Sequence, residues 1–518
     1  MPDSPTSDPE SEFVCDCEEG MREACAGEPF YGELEGKRYC VLHFPGKEKS
    51  ADFEPALQRK LDNEDFDFRG VWFPDKLSFE NFELRTKADF SFATFSAEAD
   101  FTCANFKTEA NFGGATFSAW ASFGNAAFRA EANFIYATFI AGVSFEAATF
   151  NAPQTYFYSV IFRTNAHFSN ATFTGDSDFR NASFNRDAYF RSVTFGAEAD
   201  FGSTTFSAEA DFRSATFTAE ADFRSTSFSD EADFRSATFG AQADFRSATF
   251  SAEADFRSAT FSAQADFRDA TFADHVRFAE NEEHHVFTDT SQLNFQFARI
   301  EKPDRVSFHT LSLRPHWFVN IDARKFDFTN VDWGRLGLSE EISGLEENQI
   351  SSPHPLLTIA CRNLAVNAEE NHRYEEASKF RYMALEARRL ESWRGFAPWR
   401  LSWWYWLASG YGERVWQAFF VLLGILLLSA LLYNHVGFAR WEPKVASESD
   451  VVVAKRDDTG APLKFSRALT YSAGVMILQK PEPRPATTAA QTVVLLETIL
   501  GPVQAALLAL AIRRKFMR

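Results

Sequence analysis

Phenylalanine recurs along the middle of this chain at alternating intervals of 5 and 6 residues, from Phe90 to Phe278 with one slip. In the most regular stretch the series reads Phe201, Phe206, Phe212, Phe217, Phe223, Phe228, Phe234, Phe239, Phe245, Phe250, Phe256, Phe261 and Phe267, on the unit ADFRSATFSAE. A helix cannot hold such a series on one face at 3.6 residues per turn. A fixed short period means a solenoid, in which each unit buries its apolar side only by stacking on the next. A small residue stands two positions before nearly every Phe, as Ala210 does before Phe212. Strand alternation puts those two on one face, so Ala and Phe point inward while Asp211 and Arg213 point outward. The solenoid core is therefore expected at Phe201, Phe212, Phe223, Phe234, Phe245, Phe256 and Phe267, each contributing roughly 1.5–3 kcal/mol. The single gap of 7, from Phe150 to Phe157 across Pro153, reads as a bulge at a corner.

The pattern A-(D/N/T)-F-x-x resembles the pentapeptide-repeat family, in its variant with one added residue in every second repeat, over about Ala88–Phe278. The resemblance implies a mainly β fold, a right-handed quadrilateral β-helix with two units per coil. Phe201, Phe223, Phe245 and Phe267 then stack on one face. Outward Asp residues would form like-charged ladders at the ~4.8 Å strand spacing, with Arg213, Arg224 and Arg235 as compensating charges beside them. Some pentapeptide-repeat proteins mimic DNA and inhibit topoisomerases, and the net charge of −20 admits that reading. The alternative is a solvated, self-neutralising face, which the interleaved Arg favours. The same charge leaves no basic excess for phosphates, so nucleic acid is not expected as a partner.

The ends differ from the array. Residues 1–12 are acidic and Ser/Pro-rich, with neither a basic start nor an apolar run. They read as a disordered tail rather than a signal peptide, which puts the repeats in the cytosol. Residues 51–88 read as an N-terminal cap, 89–278 as the β-helix, 279–333 as degenerate final coils and 334–355 as a linker. His284 and His285 are adjacent on a polar stretch and read as inert.

Four of the six cysteines crowd into the first 40 residues. In a reducing compartment such a cluster points to metal rather than disulfides. Cys15, Cys17, Cys25, Cys40 and His43 make 13–50 a small knuckle-like segment whose donors suit a structural, tetrahedral zinc. Inert or redox-active thiols are the other reading. Cys103 and Cys361 are expected to be packing residues.

Residues 356–393 read as a helical hairpin. Its YEEASKFRYMALEARRLESW resembles a segment that follows the repeats in bacterial membrane-bound members, through Tyr374, Glu375, Ala377, Phe380, Glu386 and Arg389. Residues 394–414 read as an interfacial aromatic helix, anchored by Trp399, Trp403, Trp404 and Trp406 beside Trp393, Arg394 and Arg400. Val415–Val436 and Thr492–Ile512 are long enough to span a bilayer. The basic end Arg513–Arg518 then places both termini in the cytosol and Gly437–Gln491 outside, in a bacterial cytoplasmic membrane.

SGYGER (Ser409–Arg414), ALTYS (Ala468–Ser472) and Leu496–Arg518 resemble the two-helix ion-channel-like domain that follows pentapeptide repeats in bacteria. The short segment Leu463–Leu478 holds the pore-helix place. SAGVMILQKPEPRP departs from the backbone-carbonyl filter of potassium channels, so potassium selectivity is not implied. Glu497 and Gln504 are the intramembrane polar residues. Glu497 marks an ion path or packing network, or else lies at the outer interface. Gly501-Pro502 is expected to hinge its helix.

No phosphate-binding Gly loop, HExxH or nucleophile elbow occurs, so no enzyme is expected. The functional expectation is a membrane-anchored cytosolic scaffold presenting the solenoid flank to a protein partner, with membrane lipid as the other contact. The alternatives are a homo-oligomeric, tetrameric channel or channel-derived sensor gated by the solenoid, and an acidic DNA mimic.

Overall fold

The computed structural model describes residues 13–25, 27–280, 286–288, 290–334, 337–347, 350–391, 400–441 and 456–516. The expected tail 1–12, His284, His285, Trp393, Arg394, Trp399 and the last two residues lie outside them. The chain divides into two compact units, Met1–Gly334 and Arg335–Arg518.

In the first unit, two-residue strands stack into four parallel sheets of 9 to 12 strands, a β-solenoid of about 11 coils. One coil is 22 residues: Ala210 pairs with Ala232, Thr216 with Thr238, Ala221 with Ala243 and Ser227 with Thr249. Each Phe lies on its counterpart one coil away. Phe201 stacks on Phe223 at 5.0 Å and 4°, Phe223 on Phe245 at 4.9 Å, and Phe245 on Phe267 at 4.9 Å. The column of Phe212, Phe234 and Phe256 runs beside it. The two columns meet edge to face, Phe201 against Phe212 at 5.5 Å and 89°. This offset geometry suits the ring quadrupole and adds to the burial of each ring. All seven of these rings are fully buried.

In the 5-residue intervals the corner needs a left-handed residue, as at Ser214, Ser225 and Ser236, with φ of 56°, 56° and 58°. Ser214 N–H there donates to Arg235 O of the next coil at 2.9 Å. The extra residue near Pro153 is absorbed without loss of register: the pairing offset becomes 23 for one coil, with Thr138 opposite Ile161.

The N-terminal stretch, read as an imperfect first coil or cap, contains a helix and a coil. Helix α1 (Ser50–Asp62) covers that coil, burying Phe53, Ala56, Leu57 and Lys60. The first coil begins within the expected cap, with Phe68 already stacked on Phe90 at 5.1 Å and Phe73 on Phe95 at 4.8 Å. At the other end Phe308 and Phe328 extend one column, with Trp333 against Phe328, while Trp317 packs on Phe287 at the end of another. Cys103 is exposed at a left-handed corner, not packed, because the 5-residue interval puts it outside the core.

The second unit is helical. Helix α2 (Leu338–Glu347) occupies part of the expected linker, and α3 (Pro353–Glu370) and α4 (Tyr374–Leu390) form the hairpin. Of the expected interfacial segment, α5 (Leu401–Ser409) is helical. Helices α6 (Val415–Tyr433) and α8 (Thr488–Phe516) are long and apolar enough to cross a membrane. Between them come a strand pair, Phe438–Trp441 with Arg456–Ala461, and the short α7 (Phe465–Met476). Helix α8 continues as one helix through Gly501 and Pro502. A Cβ at Gly501 would lie 3.0 Å from Met476 Cγ, so the glycine permits α7 to end against α8.

Candidate functional site

The N-terminal cysteines converge. A short strand pair, Phe30–Leu34 with Lys37–Cys40, leads into a turn that brings His43 back over Cys40. The ligand atoms of Cys15, Cys17, Cys25 and His43 lie within 4.8 Å of one another. Cys40 is a fifth donor, with Sγ 3.2 Å from His43 Nδ1, and Cys25 Sγ is 3.4 Å from the same nitrogen. His43 Nε2–H donates to the Arg69 carbonyl at 2.9 Å, which turns Nδ1 toward the sulfurs. Fixing the far nitrogen in this way is how metal-binding imidazoles are oriented.

Charge in the cluster is unevenly shared. Hydrogen bonds from Cys25, then Cys40, hold the Cys15 thiol far below its ordinary value, and the same contact with Cys15 pushes Cys25 far above it. Burial opposes a charge on His43, but contacts with Cys15 and Cys40 raise it to about 9. Burial, then the charge of Cys15, pushes Cys17 up to about 12. One thiolate surrounded by donors is a site where a cation can replace protons. The cluster could hold a metal ion by the softness of its donors and their spacing.

On the solenoid, the outward Asp residues are not a solvated ladder. Asp211, Asp222, Asp233, Asp244, Asp255 and Asp266 are at most 2 % exposed. Each Arg two positions on folds back over its Asp, as Arg213 Nη2 does at 2.6 Å from Asp211 and Arg268 Nη2 at 2.6 Å from Asp266. Arg213 Nε also lies 3.3 Å from Asp233 in the next coil. Guanidinium and carboxylate match as a fork, so the paired rows cover themselves.

Earlier coils carry this fork only in places, as at Asp67–Arg69 and Asp178–Arg180. Phe92 and Tyr136, 59 % and 62 % exposed, stand at left-handed corners with φ of 56° and 59°. The Phe92 ring lies over Gly114, where a Cβ would come within 2.7 Å of it. Tyr136 meets Tyr158 at 5.8 Å, and the Arg180 guanidinium sits 5.8 Å from the Tyr158 ring. Trp120, Ile140 and Ile161 are also exposed in these coils.

The profile of pentapeptide repeats in 9 copies matches residues 157–205, 201–249 and 234–280. The chain is a pentapeptide-repeat protein. No curated protein and no solved structure gives a match. The profile covers the pentapeptide repeats with regular Asp-Arg rows, while the aromatic stripe lies mostly upstream of it.

The helices that follow the pentapeptide repeats carry two buried polar networks. Glu497, 1 % exposed, accepts hydrogen bonds from Tyr433 of α6 and Ser472 of α7. It therefore lies inside the bundle rather than at its surface. Gln504 Nε2 donates to Ala408 O at 2.6 Å and Ala418 O at 2.9 Å, tying α5 and α6 to α8. At the other end of α6, the left-handed turn Gly410–Gly412 gathers the hairpin and the spans. Tyr411 hydroxyl donates to Glu386 at 3.1 Å, Glu386 pairs with Arg389 at 2.5 Å, and Ser378 donates to Glu413 at 2.7 Å. Arg514 of α8 pairs with Glu413 at 2.9 Å and donates to Tyr411 O at 3.0 Å. The hairpin motif and SGYGER, read separately in the sequence, thus form one junction. Sequence reading missed Tyr433, Glu413 and Arg514 as members of these networks. The available signal was a Tyr, an acid and an Arg at the ends of otherwise apolar spans. Of the expected anchors, Trp404 is exposed, Trp403 is partly so, and Trp406 lies 4.7 Å under the Arg389 guanidinium.

Proposed function

We propose that this protein is a membrane-anchored cytosolic scaffold that offers one flank of its solenoid to a partner protein. The observation that carries the reading is the aromatic stripe of Phe92, Tyr136 and Tyr158. Several later coils place Ser at this corner, as at Ser203, Ser225 and Ser247, before the column ends on another exposed left-handed ring, Phe297. A bulky residue in left-handed backbone costs roughly 1–2 kcal/mol, and an exposed ring adds unburied apolar surface. Strain and exposure kept together mark an interaction site. The partner we assign is a protein segment bearing arginine. Arg180 already occupies the end of this aromatic column, and the chain carries a net charge of −20. Guanidinium groups over aromatic faces are attracted by the ring quadrupole.

In this reading α6 and α8 cross the membrane, with Arg513 and Arg514 holding the C-terminal end in the cytosol. The test is binding of a labelled Arg-rich peptide to full-length protein in nanodiscs, followed by anisotropy. Replacing Phe92 and Tyr136 together by Ser should weaken binding about tenfold or more. Equal binding by both proteins would sink the reading.

A second reading, a channel-derived module assembled from four hairpins, is favoured by one observation. The short α7 between the spans is clamped by Glu497 to both of them. Single-channel steps in planar bilayers, altered in Glu497→Gln, would support it; silence from inserted, folded protein would remove it. The Asp rows give no support to the DNA-mimic reading, because Arg covers them.

For the N-terminal cluster the metal we assign is zinc, in a structural role. Thiolates with one imidazole suit it, and the donors are mostly buried, as in closed structural sites. Elemental analysis of purified protein tests this, with about one zinc per chain expected.

A further inference from the structure

The metal cluster holds five donors where tetrahedral zinc takes four. Four of them form a closed set: Cys15, Cys25, Cys40 and His43 each touch the other three. All four are buried, at 4 %, 8 %, 0 % and 5 % exposure. Cys40 also gives its backbone N–H to Cys15 Sγ at 3.4 Å, a hydrogen bond that steadies a metal-bound sulfur. Cys17 stands apart. It is only half-buried, and its sulfur approaches Cys25 Sγ, at 3.9 Å. A small rearrangement brings that pair to bonding distance.

We propose that Cys15, Cys25, Cys40 and His43 hold the ion, and that Cys17 is a resolving thiol that forms a disulfide with Cys25 under peroxide. The proposal rests on the zinc reading above. Cys25 is the most exposed of the four and the one a small oxidant reaches first. Its thiolate attacks one oxygen of hydrogen peroxide; the O–O bond breaks, leaving a sulfenic acid on Cys25 and a hydroxide that takes up a proton. Cys17 sulfur then attacks the sulfenyl sulfur. The S–S bond forms, the S–O bond breaks, and the thiol proton leaves with the hydroxyl group as water. Two thiols are oxidised and one peroxide is reduced to two waters. The ion, left with Cys15, Cys40 and His43, is released. Reactive redox cysteines commonly have such a resolving neighbour.

Release has a structural consequence in the first coil. His43 is bound to Arg69 O, and Trp72 N–H donates to Leu42 O at 3.0 Å, so the metal knuckle and the solenoid end share backbone bonds.

The experiment uses full-length protein loaded with zinc. Zinc release under hydrogen peroxide is followed with a chromogenic chelator, and disulfides are mapped by mass spectrometry. The expected result is a Cys17–Cys25 bond formed in step with release. Cys17→Ser should keep its zinc and release it about tenfold more slowly or less, whereas Cys40→Ser should fail to retain zinc. Loss of zinc in Cys17→Ser would make Cys17 a ligand and overturn the proposal while leaving the zinc reading intact. A disulfide between another pair would do the same. Protein that binds no zinc at all would remove the zinc reading and this proposal together.

Discussion

Tyr433, at the last turn of one apolar helix, donates its phenolic hydrogen to Glu497 inside another. Ser472 of the short α7 donates to the second carboxylate oxygen. One buried acid thus holds three helices. Removing it leaves the Tyr433 hydroxyl without this acceptor and Ser472 with only the Leu426 carbonyl at 3.1 Å. Glu497→Ala should lower stability by about 1–3 kcal/mol, and Tyr433→Phe by roughly 0.6–1.7 kcal/mol. Unfolding in detergent, followed by tryptophan fluorescence, measures both. Equal stability of Glu497→Ala and wild type would show that the clamp is not formed.

The aromatic corners make stability and binding move in opposite directions. Tyr136→Asn replaces a bulky left-handed residue by one that tolerates that backbone. It should raise stability by about 1 kcal/mol while weakening capture of an Arg-rich peptide. A thermal melt and the anisotropy titration, run on the same sample, check the pair of outcomes.

The Asp rows predict a pH dependence of opposite sign at two carboxylates half a coil apart, Asp211 and Asp200. At Asp211 burial works against the charge, but hydrogen bonds from Arg213 and Arg191 prevail and hold it below the ordinary carboxylate value. Its contribution is therefore present above the unfolded value of about 3.9 and is lost as pH falls through the lower folded value. At Asp200 the residue two positions on is Gly202, and burial raises the carboxyl instead. Its folded form gains stability as pH falls from above the raised value toward the unfolded one. Gly202→Arg should add a second guanidinium beside Arg180, whose Nε is 3.4 Å away, oppose this upward shift and add up to about 1 kcal/mol at neutral pH. Carboxylate titration by NMR of Asp200 reads the first effect and denaturant unfolding the second.

Chelation of the metal should loosen the N-terminal knuckle and leave the coils standing. After strong chelator, protease cleavage should appear between Phe13 and Ser50, while the solenoid survives as a protected fragment. Zinc added back should restore protection. Wholesale digestion of the repeats instead would mean that the knuckle governs the whole array.

Much of the first unit was legible because its signal repeats. The 5/6 beat gives four Phe positions per coil, and Phe201 and Phe223 could stack in only one register. What escaped were features decided by contacts between coils. Asp211 reads as exposed by alternation, yet Arg213 and Arg191 of the coil before close over it. Helix α1 was missed because Phe53 was read together with the irregular Phe spacing that follows it, Phe66, Phe68, Phe73 and Phe79. Phe53, Ala56, Leu57 and Lys60 stand at helical spacing and bury together, a signal that the surrounding Phe pattern concealed. Helix α2 was passed over as linker although Leu338, Ile342 and Leu345 share a helical face. For the cysteine cluster, composition supplied the five donors, but their convergence needs the turn that folds His43 back over Cys40.

Because a regular coil is one turn of 22 residues, removing Ala221–Gln242 joins Glu220 to Ala243 and restores the pairing of the regular coils. The distance between the knuckle and the last coil then shortens by a single strand spacing, about 4.8 Å, and neither end is altered. The solenoid is a ruler with removable graduations, and its length is set by how many copies of one short sentence the chain contains.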